Sequence, residues 1–397
     1  MSDLDQGVLP ELDADLAGFV ERGEAGGLAW AVATADDAHA CVAGGLDDDA
    51  TEPLRRDAIF RISSMSKPVT AVAALMLADD GQLALDDAVD PWLPELADRP
   101  VLRAPAGPID DTVPASRPIT VRDLLTFRMG LGMDFTAAAP QPLLAAMGEL
   151  ELGAGAPEPA GPPPPDEWMR RLGTLPLERQ PGEQWLYHTS ADVLGVLVAR
   201  VAGQPFDEFL AERLFTPLGM VDTGFSVPAA DHSRFTSCYV TEPETGARHR
   251  YDGPDGQWSR PPAFPSGGHG LVSTVDDYLA FARMLLAGGV HRGRQLISAA
   301  AVTAMTSDQI GTVPGASGVM DRTGAVGWGY GVSVQLEADA IHGVGAYGWD
   351  GGLGSSWANE PGVGLIGILL TTQVWNSPEP PPVCAAFWAG ARRAARG

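Results

Sequence analysis

The chain has 397 residues, of which 45% are apolar, which is enough for one large domain with an insertion or for two ordinary domains. Its 51 acidic residues outnumber its 26 basic residues, so the formal net charge is -25. This excess of negative charge argues against nucleic acid and against an anionic membrane surface as partners, because both need clusters of lysine and arginine.

The N-terminal region and the cysteines bear on the cellular location of the protein. Residues 1–20 carry five acidic side chains and no cationic stretch before an apolar one, so we expect no secretory signal. Cys41, Cys238 and Cys384 are widely separated and show no metal-binding or redox spacing. We therefore expect a reduced, cytoplasmic protein with no metal and no cofactor.

The first two thirds of the chain begin with strands and continue with helices. Residues 27–34 and 38–43 flank a turn and predict a hairpin. Residues 64–80 predict a helix that ends at Gly81. Further helices are predicted in the middle of the chain, where no strand is expected, at 119–125, 167–172, 191–202 and 206–215. The proline-rich stretch 156–165 predicts an extended loop.

The last third returns to strands. After a predicted helix at 276–286, four short apolar runs are separated by Gly, Asp, Asn and Pro, and they predict an antiparallel meander at 329–335, 344–349, 353–358 and 363–372. Residues 380–396 predict a final helix. Strands at both ends of the chain imply one sheet built from both termini. We expect an α/β domain from 1–80 and 226–397, and an inserted, mainly helical domain at 81–225.

Lys67 is the only lysine in the chain, and it follows Ser64 by three residues. Codon bias toward arginine is one explanation for so rare a lysine. On a helix, however, residues three apart lie on the same face, so the amine of Lys67 can reach the hydroxyl of Ser64. An arginine cannot act as a base in a protein, whereas a lysine amine can. The pair therefore points to serine chemistry.

Two later segments contain side chains that such chemistry needs. A serine hydroxyl is a poor nucleophile until a neighbouring base takes its proton and a third group orients that base. Tyr187, in the run 184–190, can fill one of these roles. The segment 348–354, which contains Trp349 and several glycines, is the other candidate segment for such a site.

These motifs resemble the SxxK serine acyltransferases, a superfamily of class C β-lactamases, DD-peptidases and family VIII carboxylesterases, and family VIII is the most similar. The resemblance extends from about residue 25 to 375. It also includes Ile119 to Thr126, Asp192 to Gly195, Pro217 to Met220, and Gly270 to Thr274. It implies a β-lactamase/transpeptidase-like fold, which combines the α/β and all-α parts described above.

The resemblance also implies roles for individual residues. Ser64 would be acylated, Lys67 would accept its proton, and Tyr187 would relay a proton to or from the leaving group. Which of Lys67 and Tyr187 is the principal base stays open. The backbone amides of Ser64 and Gly352 would bind the oxyanion.

The chain departs from the class C β-lactamases at two motifs. Thr189 stands where those enzymes have asparagine, and Trp349, Asp350 and Gly351 stand where they have Lys-Thr-Gly. No second lysine is present to bind the carboxylate of a β-lactam. Tryptophan in this place is similar to family VIII, so we expect a small-molecule ester or amide substrate, contacted by Thr189 and by residues 349–352.

Several activities are compatible with this site. We expect a hydrolase of carboxylic esters that forms an acyl-Ser64 intermediate. The alternatives are an acyltransferase that uses the same intermediate, a weak β-lactamase or DD-peptidase, and a sensor that is acylated without turnover. The sequence carries no prediction of oligomeric state.

Other side chains near these motifs have simpler interpretations. His188 and His269 flank site segments, but a lone histidine is usually a packing or hydrogen-bonding residue. The remaining candidates for a pocket lining are more simply explained by core packing, and they are Phe127, Met133, Phe135 and Trp185.

Overall fold

A computed structural model describes residues 4–48, 52–137, 141–153, 155–311, 324–377 and 380–395. The helices are α1 (Leu9–Glu21), α2 (Ser66–Asp79), α3 (Val121–Leu125), α4 (Pro142–Glu149), α5 (Pro165–Leu172), α6 (Thr189–Ala202), α7 (Phe206–Leu210), α8 (Thr216–Leu218), α9 (Val275–Leu286), α10 (Ala299–Met305) and α11 (Pro382–Ala394). The strands of the main sheet are β1 (Gly27–Ala33), β2 (Ala38–Gly44), β11 (Val326–Trp328), β12 (Ser333–Gln335), β13 (Tyr347–Gly351), β14 (Ser355–Glu360) and β15 (Leu365–Thr371). Short two-stranded pairs are formed by β3 (Phe60–Arg61) with β8 (Val272–Ser273), β4 (Pro100–Leu102) with β5 (Thr112–Pro114), β6 (Cys238–Thr241) with β7 (Arg248–Asp252), and β9 (Val290–His291) with β10 (Arg294–Gln295).

The main sheet joins the two ends of the chain. Its seven strands follow the order β11-β12-β13-β14-β15-β1-β2, and every neighbouring pair is antiparallel. The N-terminal strand β1 lies beside β15, with Leu28 opposite Thr371 and Ala33 opposite Ile366. The predicted sheet from both termini is confirmed, as is the β-lactamase/transpeptidase-like fold.

Both faces of this sheet are covered, and β1 shows why. Successive side chains of a strand point to opposite faces. The small residues Ala29, Ala31 and Ala33 belong to the large core that includes α2 and α9, whereas the alternating Leu28, Trp30 and Val32 pack with α1 and α11. Alanines on one face let α9 approach the sheet closely, and α9 contacts β1, β14 and β15.

Some predictions were wrong in detail. The run predicted as one strand at 329–335 begins with the turn that follows β11, so only Ser333–Gln335 is strand, and it forms β12. The β4–β5 hairpin, which precedes the first helix predicted in the middle region, was not predicted, because its strands are too short for alternation to be visible in the sequence. Helix α1 was not predicted, although Leu9, Leu12 and Leu16 are spaced for one buried face.

The largest core runs without a break through the sheet, α2, α6 and the helices of the middle region. The predicted division into 1–80 with 226–397 and an insertion at 81–225 stays a prediction. The proline-rich stretch has neither helix nor strand before α5 begins at Pro165. Among the described helices, none has the length and apolar content needed to cross a membrane.

Candidate active site

Ser64 lies in a single turn of 3-10 helix, Ser63–Met65, that leads directly into α2. Its side chain is half-buried, whereas both neighbours are fully buried. Ser63 has a positive φ of 47°, and this sharp turn presents the next residue at the start of the helix. The turn is held by Tyr278, whose hydroxyl donates to the carbonyl of Met65 at 2.9 Å. Developing negative charge at such a helix N-terminus is stabilised by the helix dipole.

Lys67 lies one turn further along and is only 1% exposed. Its Nζ contacts three acceptors: Ser64 Oγ at 3.0 Å, the carbonyl oxygen of Gly268 at 2.6 Å and His188 Nδ1 at 3.2 Å. Burial lowers the pKa of the Lys67 amine to about 7, against the opposing attraction of Asp192. A substantial fraction of this amine is therefore neutral at physiological pH, as a general base requires.

Tyr187 approaches the same serine from the loop before α6. Its hydroxyl accepts a hydrogen bond of 2.9 Å from the indole nitrogen of Trp349, and Lys67 Nζ lies 4.5 Å from the centre of its ring. Burial raises the pKa of Tyr187, although hydrogen bonds with Ser64 and Trp349 act in the opposite direction. The phenol consequently keeps its proton at neutral pH.

The third predicted segment is the end of β13 and the turn that follows. Trp349 is 6% exposed and faces Tyr187. Gly351 packs so closely that a Cβ would lie 2.3 Å from the carbonyl oxygen of Ile62, so only glycine allows β13 to reach the turn that carries Ser64. Gly352, the first residue after β13, is exposed, and a Cβ added to it would meet open space.

Two other predicted contacts have different surroundings. Asp350 alternates with Trp349 along β13, so its side chain lies on the opposite face of the sheet, where it is hydrogen-bonded to Ser356. The structure therefore does not bring the Asp350 carboxyl to Ser64. Burial raises its pKa to about 6. Thr189 is buried at the first position of α6.

His188, Asp192 and His269 form a buried cluster beneath Lys67. Nε2 of His188 lies 3.1 Å from Asp192 Oδ2, in a geometry too bent for a full hydrogen bond, and the rings of the two histidines are 4.8 Å apart. Burial lowers the pKa of both histidines, and Lys67 acts in the same direction. His188 is a hydrogen-bonding residue, as its simpler interpretation expected, but it is not isolated, and its spacing of four residues from Asp192 was the available signal.

An aromatic cluster forms the wall beside Ser64. Trp328 and Trp349 meet edge to face at 4.7 Å, and Phe127 lies 4.9 Å from Trp328. Phe135 is 47% exposed at the rim, 5.4 Å from Tyr187. The buried members are Phe127, Trp185, Tyr187, Ala191, Ile310, Trp328 and Trp349, with Met133 packed against them. Trp328 and Ile310 were missed because their segments carry no motif.

Among the residues that the structure describes, two groups of side chains have ligand atoms close enough together for a metal ion. One is the His188, Asp192 and His269 cluster, and the other is Asp13 with His39 and Cys41 near the surface. In the buried group, the Lys67 amine already contacts His188, and a cation at that distance opposes the binding of a second one. Asp192 Oδ1 is also engaged, by Ser266 and by the amide of Gly268. We therefore do not interpret this cluster as a metal centre.

A family model described as Beta-lactamase matches residues 12–383, which is nearly the whole chain. This chain belongs to the β-lactamase family. Protein Rv1367c of Mycobacterium tuberculosis is 38% identical over 332 residues, which cover 82% of this chain and 80% of that protein. Esterase EstB of Burkholderia gladioli is 33% identical over 352 residues, which cover 83% and 81% respectively.

A solved structure supports the fold of this family member. It is EstCE1, described as a hydrolase with promiscuous acyltransferase activity, which superposes with a TM-score of 0.77 over 99% of both chains. At 23% identity it bears on the fold alone. The resemblance stated from the motifs is confirmed, and the chain is an enzyme of the β-lactamase-like serine hydrolase and acyltransferase class.

Proposed function

We propose that this protein hydrolyses uncharged carboxylic esters through an acyl-Ser64 intermediate. The observation that carries the proposal is the contact of 3.0 Å between Ser64 Oγ and the buried amine of Lys67. In the acylation step, the Oγ–H proton passes to Lys67 and the oxygen attacks the ester carbonyl. The bond to the alcohol then breaks, and the alcohol leaves with a proton. Water attacks the carbonyl of acyl-Ser64 in the same way, and the acid is released as Ser64 Oγ regains its proton.

The pKa values favour Lys67 over Tyr187 as the principal base. The pKa of Lys67 is lowered to about 7, whereas the pKa of Tyr187 is raised from its ordinary value. Trp349 is a neutral donor to the phenol oxygen, so it adds no positive charge that would favour the phenolate. In our proposal Tyr187 is therefore a phenol before each step. It donates its proton to the departing alcohol and then recovers a proton from Lys67.

The oxyanion would be bound by the backbone amides of Ser64 and Gly352. The close packing of Gly351 against Ile62 supports this arrangement, since it keeps the turn after β13 next to the turn that carries Ser64. An oxyanion-hole donor of this kind typically contributes about 3 kcal/mol to the transition state.

The walls of the site support an uncharged, apolar substrate. The side chains around Ser64 and Tyr187 are mostly aromatic, and Lys67 is occupied by its three acceptors. A substrate carboxylate would lose its hydration in such a site without gaining a cation. Hence neutral esters should be better substrates than β-lactams. The relative named esterase EstB is in keeping with this proposal.

The proposal includes a cytoplasmic location and a small-molecule substrate. None of the three cysteines takes part in a disulfide, as expected for a reducing compartment.

A substrate panel tests the proposal. The panel contains p-nitrophenyl esters of increasing acyl length, a chromogenic cephalosporin and a D-amino acid amide, with Ser64→Ala as the control. We expect ester turnover, trapping of the acyl group on the peptide that contains Ser64, and little hydrolysis of the cephalosporin. Cephalosporin hydrolysis as efficient as that of the best ester would replace the proposal with a β-lactamase, and a permanent adduct without turnover would indicate a sensor.

Acyl transfer is the second candidate, and the aromatic wall favours it, because an apolar site disfavours water relative to an apolar alcohol. Transfer uses the same acyl-Ser64 and differs only in the acceptor. The test is product analysis with an ester donor and increasing concentrations of a primary alcohol. A transfer product that exceeds the hydrolysis product at millimolar alcohol would make transfer the main activity.

A further inference from the structure

The three neighbours of the Lys67 amine can be compared with the donors and the lone pair that the amine offers. A protonated lysine has three N–H donors, whereas a neutral one has two donors and one lone pair. The three neighbours of Nζ are Ser64 Oγ, the Gly268 carbonyl and His188 Nδ1. If the carbonyl and the imidazole accept the two N–H groups of the neutral amine, the lone pair points at Ser64.

This arrangement requires one tautomer of His188. Nδ1 must be the unprotonated nitrogen that accepts from Lys67, so the proton must sit on Nε2. The nearest acceptor to Nε2 is Asp192 Oδ2, at 3.1 Å. Asp192 is itself fixed, because its Oδ1 accepts from Ser266 Oγ at 2.5 Å and from the amide of Gly268 at 2.9 Å. One carboxylate therefore accepts from the amide of Gly268 and also faces Nε2 of His188, the two residues whose acceptors contact the lysine.

The backbone at His188 is held in a rarely populated conformation. Its φ of 83° and ψ of -66° lie in the γ-turn region, and the amide of Thr189 contacts the carbonyl of Tyr187 at 3.2 Å. Such strain persists only where the surroundings impose it, and it is frequent at functional sites. Here the turn places the side chains of Tyr187 and His188 against the same amine.

We propose that His188, held by Asp192, is a positioning residue that aims the lone pair of Lys67 at the hydroxyl of Ser64. This proposal rests on the proposed function, in which Lys67 is the base. In the acylation step His188 neither gains nor loses a proton. It accepts one N–H of the lysine before the proton of Ser64 arrives, and it continues to accept that N–H afterwards.

The first test compares two substitutions at His188. In His188→Asn, the amide oxygen occupies the place of Nδ1 and accepts from Lys67, and asparagine tolerates positive φ better than most residues. In His188→Ala, no acceptor remains. We expect kcat for a p-nitrophenyl ester to fall about 100-fold for His188→Ala and less than about fivefold for His188→Asn, with little change in KM. Equal losses in the two variants, or losses confined to KM, would overturn the proposal.

The second test reverses the tautomer. In Asp192→Asn, Oδ1 can keep its contacts with Ser266 and Gly268, while the new NH₂ group donates toward His188 Nε2. The proton then moves to Nδ1, where it competes with Ser64 for the lone pair of Lys67. We expect a fall in kcat of about 100-fold. In the His188→Asn background there is no imidazole whose tautomer can change, so Asp192→Asn should lower kcat by less than about threefold. A full loss in that background would contradict the proposal.

The pH profile separates positioning from charge. The titratable groups that face Lys67 are Tyr187, His188, Asp192 and His269. The negative charge of Asp192 raises the pKa of Lys67, so Asp192→Asn should move the acid limb of the kcat/KM profile to lower pH. The plateau value of kcat/KM should fall at the same time. The shift of the limb reports the lost charge of Asp192, whereas the fall of the plateau reports the changed tautomer of His188.

Controls keep this inference distinct from the proposed function. Thermal unfolding and a burst titration of acylatable Ser64 correct each kcat for the fraction of folded enzyme. If wild-type protein forms no acyl-Ser64, the proposed function fails. If the wild type turns over and the plateau and KM are unaffected by His188→Ala, only the positioning role fails.

Discussion

Two buried cations lie six residues apart and have opposite surroundings. Arg61, on β3, is 2% exposed and Lys67 is 1% exposed. The Arg61 guanidinium is paired with Asp252 at 2.5 Å, donates to the carbonyls of Thr236 and Gly253, and stacks 3.9 Å from the ring centre of Phe235. Lys67 is surrounded by neutral acceptors, and no carboxylate in the described part of the chain contacts its amine directly.

The difference shows how similar burial produces a structural ion in one place and, in the proposed function, a base in the other. Burial lowers the pKa of both side chains, but Asp252 directly opposes this for Arg61. A guanidinium stays protonated in any case, so Arg61 can only hold β3 to Asp252 at the end of β7 and to the carbonyls of Thr236 and Gly253. At Lys67 the nearest carboxylate, Asp192, acts from behind His188, and the amine is free to lose its proton.

Replacement of Lys67 should have the largest effect on ester hydrolysis. We expect Lys67→Arg to lower kcat/KM for a p-nitrophenyl ester by about 10³-fold or more, because positive charge remains but no removable proton does. The measurement is steady-state kinetics together with thermal unfolding, which should remain near that of the wild type. A rate above a tenth of wild type would show that Lys67 is not the base.

The complementary exchange at the structural cation should act on stability. Arg61→Lys loses the paired contacts to Asp252 and the two carbonyls, so we expect the free energy of unfolding to fall by about 2–4 kcal/mol. Ester hydrolysis per folded molecule should remain. The assay is urea unfolding, with Arg103→Lys in the exposed pair with Asp111 as a control that changes less than about 0.5 kcal/mol. A stability equal to wild type would remove the contrast between the two cations.

Acidification should lower ester hydrolysis, because it protonates Lys67, the base in the proposed function. Lys67 acts when neutral and its pKa is lowered to about 7, so kcat/KM should fall below pH 7 and approach a tenfold loss per pH unit. A neutral ester at constant ionic strength is the appropriate substrate. A rate that stays flat down to pH 5 would mean that no group with this pKa acts in acylation.

The smallest effect is expected from removing the indole donor to Tyr187. Trp349→Phe keeps an aromatic wall but loses the hydrogen bond of 2.9 Å, so kcat should fall about tenfold. Trp328→Phe is the matched control. Its indole nitrogen is buried with no hydrogen-bond partner among the described residues, and its loss should cost less than about threefold. Equal losses would assign both tryptophans to packing alone.

Much of this molecule was predictable from local patterns. The strands near both termini, the helix after Ser64 and the SxxK spacing are short-range properties, because periodicity and the three-residue interval are written along the chain. The lone lysine next to a serine also limited the chemistry to a base that arginine cannot replace. The absence of a second lysine is likewise a property of the sequence, and by itself it disfavours a β-lactam substrate.

Only the tertiary structure decided what surrounds that lysine. Asp192 and Gly268 are separated by 76 residues in the chain, yet a hydrogen bond joins them beneath Lys67. The aromatic wall likewise combines side chains from distant segments, and the strand alternation that turned Asp350 away from Ser64 became decisive once β13 was placed in the sheet. Burial and long-range contacts set the protonation of an amine, so the sequence determined which residue is the candidate base, and the fold lowered its pKa to about 7.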